Sequence, residues 1–395
     1  MNKNILDKDV QNYINQNLNS DVNKIALSKS SFANVSVAEL ANQITAKKKS
    51  EKKLPTWFNQ QNIYFPFSLS IEQTSSEITA KYKSNLAKGE TLIDITGGFG
   101  VDTYYFSKTL KEITHCEINT DLSAISAYNG ELLKENNVNF INFDGLEYLK
   151  TTDKKFDTIY VDPARRAEKG KVFMLKDCNP DVVSNLDFLL SKSERIIIKT
   201  APLLDIKAGL SELKNVSEIH IVSVKNECKE ILWIIDREKT IELKIFAITL
   251  NGIQKQFSFI PSEENSNNIT YTNEIHANTY LYEPDVALLK SGAFNLIANH
   301  YKLSKLHPQS QLYTSTNIND NFPGRIFQIR EVLSTADLKK LKDLKGNIIV
   351  RNYPAKAEDL VKKYKIKPSN DDFLIFSKIA TGENLIFKAT IKQYY

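Results

Sequence analysis

The sequence predicts an α/β protein: a doubly wound, Rossmann-like sheet with a helical region before it and small α+β domains after it. Between Gly89 and Asp236, short and nearly continuous apolar runs alternate with helical stretches, the pattern of strands covered on both faces. Before Gly89 the apolar residues fall at helical spacing, and after Asp236 the strand–helix rhythm stops. At 395 residues with 42% hydrophobic content, the chain is long enough to build several cores.

Taken in order, Val10, Tyr13, Ile14 and Leu18 form one helical stripe and Val37, Leu40, Ala41 and Ile44 a second, opened by the capping box Ser36-x-x-Glu39. Lys47, Lys48, Lys49, Lys52 and Lys53 follow as an expected solvated helix end, closed by Pro55. A further capping box, Ser70-x-x-Gln73, predicts one helix through Ile78 to about Leu86. Strands are then expected over 91–95, 113–118, 138–144, 156–162 and 195–200, each followed by a helix. The runs 218–224 and 231–236 are separated only by KNECKE, too short for a crossover helix, so they form an antiparallel hairpin. Asn251-Gly252 marks another hairpin, with a two-residue turn, and SEENSNN at 262–268 reads as a linker. VALLKSGAFNLIANHYKL supplies one helix to a small unit, and helices over ADLKKLKDL and AEDLVKKYKI alternate with short strands in the last. The expected parts are 1–69 helical, 70–236 the doubly wound domain, 237–275 hairpin and linker, 276–321 a small domain, and 322–395 a basic domain.

No run approaches the ~18 apolar residues of a membrane span, and the N-terminus lacks a secretory apolar region, so a soluble cytoplasmic protein is expected. Cys116, Cys178 and Cys228 lie far apart, and His115, His220, His276, His300 and His307 show no metal or triad spacing, so no metal is expected. The net charge of +5 is unevenly spread. From Phe322 onward there are fifteen Lys/Arg against eight Asp/Glu, whereas residues 1–321 carry 37 against 39. A segregated basic end suits either a solvated surface or a grip on phosphates.

The main chemical signal is Asp94-x-Thr96-Gly97-Gly98-Phe99-Gly100-x-Asp102, at the junction of the first strand and its helix. Glycines let backbone amides approach a ligand, and a helix N-terminus adds partial positive charge. A dinucleotide loop would read GxGxxG and cradle a pyrophosphate. Here the third glycine is missing and Asp94 would repel a pyrophosphate, whereas it suits the ammonium of a methionine moiety, favouring S-adenosylmethionine. Glu117, at the end of the second strand, is placed to accept from ribose hydroxyls. Asp144, followed by Gly145 at the end of the third, is placed to accept from an adenine amine, and taken alone it equally fits a turn residue at the strand end. The fourth strand ends in Asp162-Pro163-Ala164-Arg165-Arg166. A carboxylate and carbonyls there can accept from an exocyclic amine and aim its lone pair in an in-line displacement.

Together these residues resemble class I S-adenosylmethionine-dependent methyltransferases, whose seven strands run in the order 3-2-1-4-5-7-6 with the last antiparallel. The resemblance implies cofactor contacts at Asp94, Thr96, Gly97, Gly98, Gly100, Asp102, Glu117, Asp144 and Gly145, and catalytic residues at Asp162, Pro163 and Arg165. Arg166 is an expected substrate contact. YLYEPDVALLKSGAF resembles the start of a ferredoxin-like domain, and FPGRIFQI, IIVRNYP and LVKKYKIK resemble a THUMP-like domain, an arrangement of a bacterial group. In such proteins the helix before the first motif helps to enclose the cofactor, which makes Gln73, Ser75 and Ser76 candidate contacts. The fourth motif departs from the Asp-Pro-Pro-aromatic pattern of amino-methylating members: Ala164 and Arg165 replace the second proline and the ring. Arg165 can stack on a base, grip a phosphate or form a structural ion pair.

The expected activity is methylation of an RNA base, in tRNA or rRNA, with RNA as partner. Two alternatives stand beside it: an inactive RNA-binding protein that keeps the cofactor fold, and a methyltransferase for a small molecule or protein.

Overall fold

The computed structural model describes residues 1–165, 174–238, 242–264, 269–341 and 343–395. The chain divides into two compact units, Met1–Ser217 with Leu232–Thr240, and Glu218–Ile231 with Ile241–Tyr395.

The first unit opens with helices α1 (Lys8–Gln16), α2 (Val22–Ala26), α3 (Val37–Lys53), α4 (Pro55–Asn59), α5 (Ser68–Gln73) and α6 (Glu77–Ser84). The box predicted at Ser36 is formed: its hydroxyl accepts from Glu39 N, and the Glu39 carboxylate accepts from Ser36 N. The helix expected over 70–86 is instead two. Ser70 lies inside α5, and Ser76 caps α6 by accepting from Thr79 N, with Thr74 extended between them. The lysine-rich end of α3 is also less solvated than expected. Lys47 is 7% exposed and lies over the Phe58 ring, and Lys53 Nζ donates to the Ile71 and Glu72 carbonyls in the last turn of α5. Ile14, Leu40, Ile44, Trp57 and Ile71 from these helices, with Phe65 between α4 and α5, share one core with Phe99, Val101 and Ile125 of the sheet region. The helical region is thus built onto the loop that follows the first strand.

Strands β1 (Thr91–Asp94), β2 (Glu112–Cys116), β3 (Val138–Ile141), β4 (Phe156–Val161) and β5 (Ser193–Thr200) pair in parallel. Helices α7 (Val101–Ser107), α8 (Thr120–Leu132), α9 (Gly145–Thr151), α10 (Leu186–Lys192) and α11 (Ile206–Glu212) lie between or after them in the chain. β6 (Val216–Val224) and β7 (Glu227–Asp236) form the expected hairpin, turning through Lys225 and Asn226, both left-handed at φ 53 and 60. The first half of β7 belongs to the second unit and the second half to the first. In the first unit the order is β3-β2-β1-β4-β5-β7, and in the second β7-β6-β8-β9, with β8 (Lys244–Asn251) and β9 (Ile253–Phe259). This is the 3-2-1-4-5-7-6 arrangement, extended by two strands. The 251–252 hairpin is tighter than expected, because Asn251 already pairs with Ile253 and leaves only Gly252 at the apex.

Also in the second unit, β10 (Tyr280–Pro284), β11 (Ser304–His307), β12 (Ser310–Ser315), β13 (Gly324–Leu333), β14 (Asn347–Arg351), β15 (Asp372–Lys378) and β16 (Asn384–Gln393) make one sheet, ordered β11-β12-β10-β13-β16-β15-β14. The expected division near 321 therefore falls inside a continuous sheet, with Tyr282 of β10 opposite Ile326 of β13. Part of the expected linker is folded: α12 (Pro261–Glu264) precedes residues outside those described, and the Glu264 carboxylate accepts from Asn295 N and Leu296 N. The single helix expected over 286–303 is split into α13 (Val286–Ser291) and α14 (Phe294–His300) by left-handed Gly292. α15 (Thr335–Lys340) and α16 (Ala357–Tyr364) complete the fold, with Lys362, Lys363, Lys365 and Lys367 exposed around the end of α16.

Candidate active site

The carboxyl ends of β1, β2, β3 and β4 carry Asp94, Glu117, Asp144 and Asp162, either as their last residue or within three residues of it. Beyond Asp94 the chain keeps sheet-like bonds on both sides: Ile95 N donates to the Tyr160 carbonyl of β4 at 3.1 Å and Gly97 N to the Cys116 carbonyl of β2 at 2.8 Å. It then turns through Gly98 and Gly100, left-handed at φ 58 and 85, into α7.

Buried beneath this loop is His115. A Cβ on Gly97 would lie 2.2 Å from its Cε1, so the loop can sit this close only as glycine. Thr103 Oγ1 lies 3.0 Å from Asp94 Oδ2 and 2.9 Å from His115 Nδ1. With its one hydroxyl proton on Asp94, Thr103 accepts from Nδ1–H. Nε2 is then an unprotonated nitrogen with no partner among the described residues, cheaper to bury than an N–H. Burial pushes the imidazole down to about 3, so it is neutral.

Asp94 is 1% exposed and braces the loop: Oδ1 accepts from Thr96 N, and Oδ2 from Thr103. Burial, with the nearby Asp102 and Asp162 charges, raises its carboxyl to about 7 despite those bonds. Thr96 Oγ1 in turn accepts from Asp162 N at 2.8 Å, tying the loop to the end of β4. Asp102 faces α6 and β4. Its Oδ2 accepts from Ser75 Oγ and Tyr160 Oη, and its Oδ1 pairs with fully buried Lys83 at 3.1 Å. Ser75 is therefore engaged with Asp102, Ser76 with its own helix, and Gln73 is exposed.

Glu117 is held from both sides and remains half-buried: Oε2 accepts from Gly98 N at 2.8 Å and Oε1 from Asn119 N at 2.7 Å. The loop amide that a phosphate would want is thus spent on an acid, while each carboxylate oxygen keeps a lone pair for a hydroxyl donor. Asp144 caps α9, with Oδ1 accepting from Leu146 N and Glu147 N. Its Oδ2 accepts from none of the described residues. Gly145 passes so close to Ile95 that a Cβ would meet the Ile95 backbone at 2.5 Å. Asn142 Nδ2 donates to the Glu117 and Ile118 carbonyls, joining the β2 and β3 ends. Beside these acids Ile118 is 69% and Phe143 47% exposed, large apolar side chains presented outward.

At the end of β4, Asp162 Oδ2 pairs with Lys199 Nζ of β5 at 2.5 Å, and Pro163 is buried. Ala164 and Arg165 continue as a short strand paired with Cys178 and Asn179. The Arg165 side chain and the whole of Arg166 lie outside the described residues. Sequence reasoning missed His115, Thr103, Lys83, Lys199, Ile118 and Phe143. Only His115 and Lys199 carried a signal, as ionisable residues adjoining the apolar stretches of β2 and β5. A cavity of about 460 Å³ in the first unit, lined by Asn42, Phe65, Phe67 and Leu122, touches this constellation at Asn119 and is otherwise separate from it. Among the described residues there is no cluster of His, Cys, Asp and Glu fit for a metal, and no helix long and apolar enough to cross a membrane.

A family model for a ferredoxin-like domain matches residues 280–323, and one described as THUMP domain-like matches 324–389. The crystal structure of a methyltransferase candidate from Porphyromonas gingivalis W83 superposes with a TM-score of 0.86, at 32% identity over 99% of both chains. An uncharacterised RNA methyltransferase of Mycoplasma mobile is 30% identical over 35% of this chain and 39% of its own length. Ribosomal RNA small subunit methyltransferase J of Francisella tularensis is 36% identical over 18% of this chain and 34% of its own. The chain thus matches little more than a third of these two curated relatives. The full-length match and the strand order place this chain in the family of class I S-adenosylmethionine-dependent methyltransferases that carry C-terminal ferredoxin-like and THUMP-like domains.

Proposed function

We propose that the protein transfers a methyl group from S-adenosylmethionine to an exocyclic amine of a base in rRNA or tRNA, as a cytoplasmic enzyme. The observation that carries the cofactor reading is the pair Glu117 and Asp144. Each is fixed by backbone donors, each keeps acceptor capacity facing outward, and exposed Ile118 and Phe143 flank them. Hydroxyl donors on a ribose suit the first, an amine on a flat apolar base suits the second, and the apolar pair suits its faces. The buried Asp94 carboxyl, raised to about 7, favours a cationic ligand and disfavours a phosphate.

S-adenosylmethionine supplies a methyl on a positively charged sulfur, which keeps the bond's electron pair when the methyl passes to a nitrogen lone pair. The chain's part is alignment. Asp162 accepts a hydrogen bond from the acceptor amine, aims its lone pair and takes up the proton it sheds. Arg165 and Arg166 hold the RNA beside it. The exposed lysines around α16 grip its backbone, a reading supported by the THUMP-like match and by the names of the partial relatives.

Isothermal titration with S-adenosylmethionine tests the cofactor. Glu117→Ala should weaken binding roughly 10- to 100-fold through lost charge-assisted bonds, and equal affinity for wild type and variant would end this reading. Nucleoside mass spectrometry of RNA from cells lacking the protein tests the substrate. One missing methylated nucleoside identifies the product, and an unchanged profile removes RNA as the acceptor.

A further inference from the structure

The geometry points to Lys199 as a positioning residue that sets the direction of the Asp162 carboxylate for methyl transfer. This rests on the reading of Asp162 as the group that receives the acceptor amine.

Lys199 follows Ile196, Ile197 and Ile198, all fully buried, on a strand whose neighbour in register is the end of β4. Val161 lies opposite Ile198, so Asp162 and Lys199 are the next residues of two parallel strands, and their side chains meet at 2.5 Å. The lysine side chain is only 14% exposed, and holding a cation at such a depth carries a desolvation cost that an apolar side chain avoids. Ordinary packing would place another isoleucine there. A cation at this position does have a definite effect on Asp162. The Asp162 main chain is tied to the loop after β1 by its N–H to Thr96 Oγ1, and Lys199 fixes carboxylate oxygen Oδ2. The remaining oxygen, Oδ1, accepts from none of the described residues, and with the other two points held its direction is set. A target amine hydrogen-bonded to Oδ1 thereby has its lone pair aimed before the reaction begins. Misplacing a reacting group by about 1 Å costs on the order of 100-fold in rate.

The test uses the full chain, tritiated S-adenosylmethionine and RNA prepared from cells lacking the protein, with Lys199→Met, Lys199→Arg, Asp162→Asn and the double variant Asp162→Asn/Lys199→Met. Lys199→Met is expected to lower kcat about 10- to 100-fold while its affinity for S-adenosylmethionine, titrated separately, stays within about twofold. Lys199→Arg, which keeps a cation at the carboxylate, should recover most of the loss. The double variant should be no slower than Asp162→Asn alone, because a residue acting only through Asp162 has nothing left to position. It also keeps the comparison open should an unpaired Asp162 unfold the single Lys199→Met variant. Losses that multiply in the double variant, or a normal kcat in Lys199→Met beside a slow Asp162→Asn, would overturn the role of Lys199 and leave that of Asp162 standing. Full activity in Asp162→Asn would remove both.

Discussion

Replacing Gly97 by alanine adds one methyl where the loop after β1 passes over His115. The new carbon would sit 2.2 Å from His115 Cε1. Carbon atoms at rest stay about 3.5 Å apart or more, so loop and ring must separate by about 1.3 Å. The ring has little freedom to yield: His115 is fully buried and its Nδ1 is bonded to Thr103, which is bonded in turn to Asp94. Forcing an extra carbon into such a place costs about 1 to 3 kcal/mol. If the loop moves, the same sum appears as a loss of S-adenosylmethionine affinity of roughly 5- to 150-fold. Gly98→Ala is the control, since its Cβ would meet nothing nearer than the Thr96 carbonyl at 3.8 Å and would bear only the left-handed penalty of about 1 to 2 kcal/mol. Urea denaturation and calorimetric titration of Gly97→Ala, His115→Ala and the double variant measure the coupling. Removing the ring should relieve the methyl, giving an interaction of about 1 kcal/mol or more. Wild-type behaviour of Gly97→Ala, or strictly additive losses, would refute the steric account.

Three further outcomes follow from other contacts. Asp94, raised to about 7, is largely protonated at pH 6, so a cationic cofactor that favours its ionised form should release protons there and not at pH 8.5. Titrations at pH 6 in buffers of different ionisation enthalpy should show this release, and Asp94→Asn should abolish it. Lys83→Met strands Asp102 in a buried site and should cost about 3 kcal/mol of stability in urea denaturation; a loss well below this would mean that Ser75 and Tyr160 satisfy the carboxylate alone. Lys362→Gln/Lys363→Gln should flatten the plot of log binding constant against log salt by about 1.4 to 1.8 if both lysines contact phosphates, measured by filter binding to rRNA.

The central strands β1, β4 and β5 were legible because they are largely buried on both faces and so read as apolar runs, whereas edge strand β3 is only partly buried and its run VNFI is correspondingly mixed. The antiparallel pairing of β6 and β7 followed from the shortness of KNECKE, and their order in the sheet from the family resemblance. Helix breaks were harder. Ser70-x-x-Gln73 has the residues of a capping box, but the chain turns after Gln73 because Ser76 offers α6 a competing cap and Ser75 bonds to Asp102, a partner 27 residues away. Gly292 was likewise hidden in a long amphipathic run, where a tolerated glycine and a terminating one look the same until φ is known. The two C-terminal parts carry distinct sequence signatures yet share a sheet, since β10 to β13 pairing is long-range and leaves no local trace.

The acids at the strand ends show most clearly what spacing can and cannot convey. Asp94, Asp102, Glu117 and Asp144 look equivalent in the sequence, three carboxylates at or near strand ends and one in the first turn of α7. Their surroundings divide them by what remains of their acceptor capacity. Asp94 spends both oxygens on Thr96 and Thr103, and Asp102 spends its own on Ser75, Tyr160 and Lys83. These two hold the loop and fasten α6 to it. Glu117 and Asp144 are anchored by backbone amides and keep lone pairs free, which is the state of a group that still has a ligand to bind. The distinction predicts different failures: loss of Asp102 should show first in stability, and loss of Glu117 in affinity with the fold intact. Asp94 should show in both, because the group that shapes the loop is also the charge beneath it.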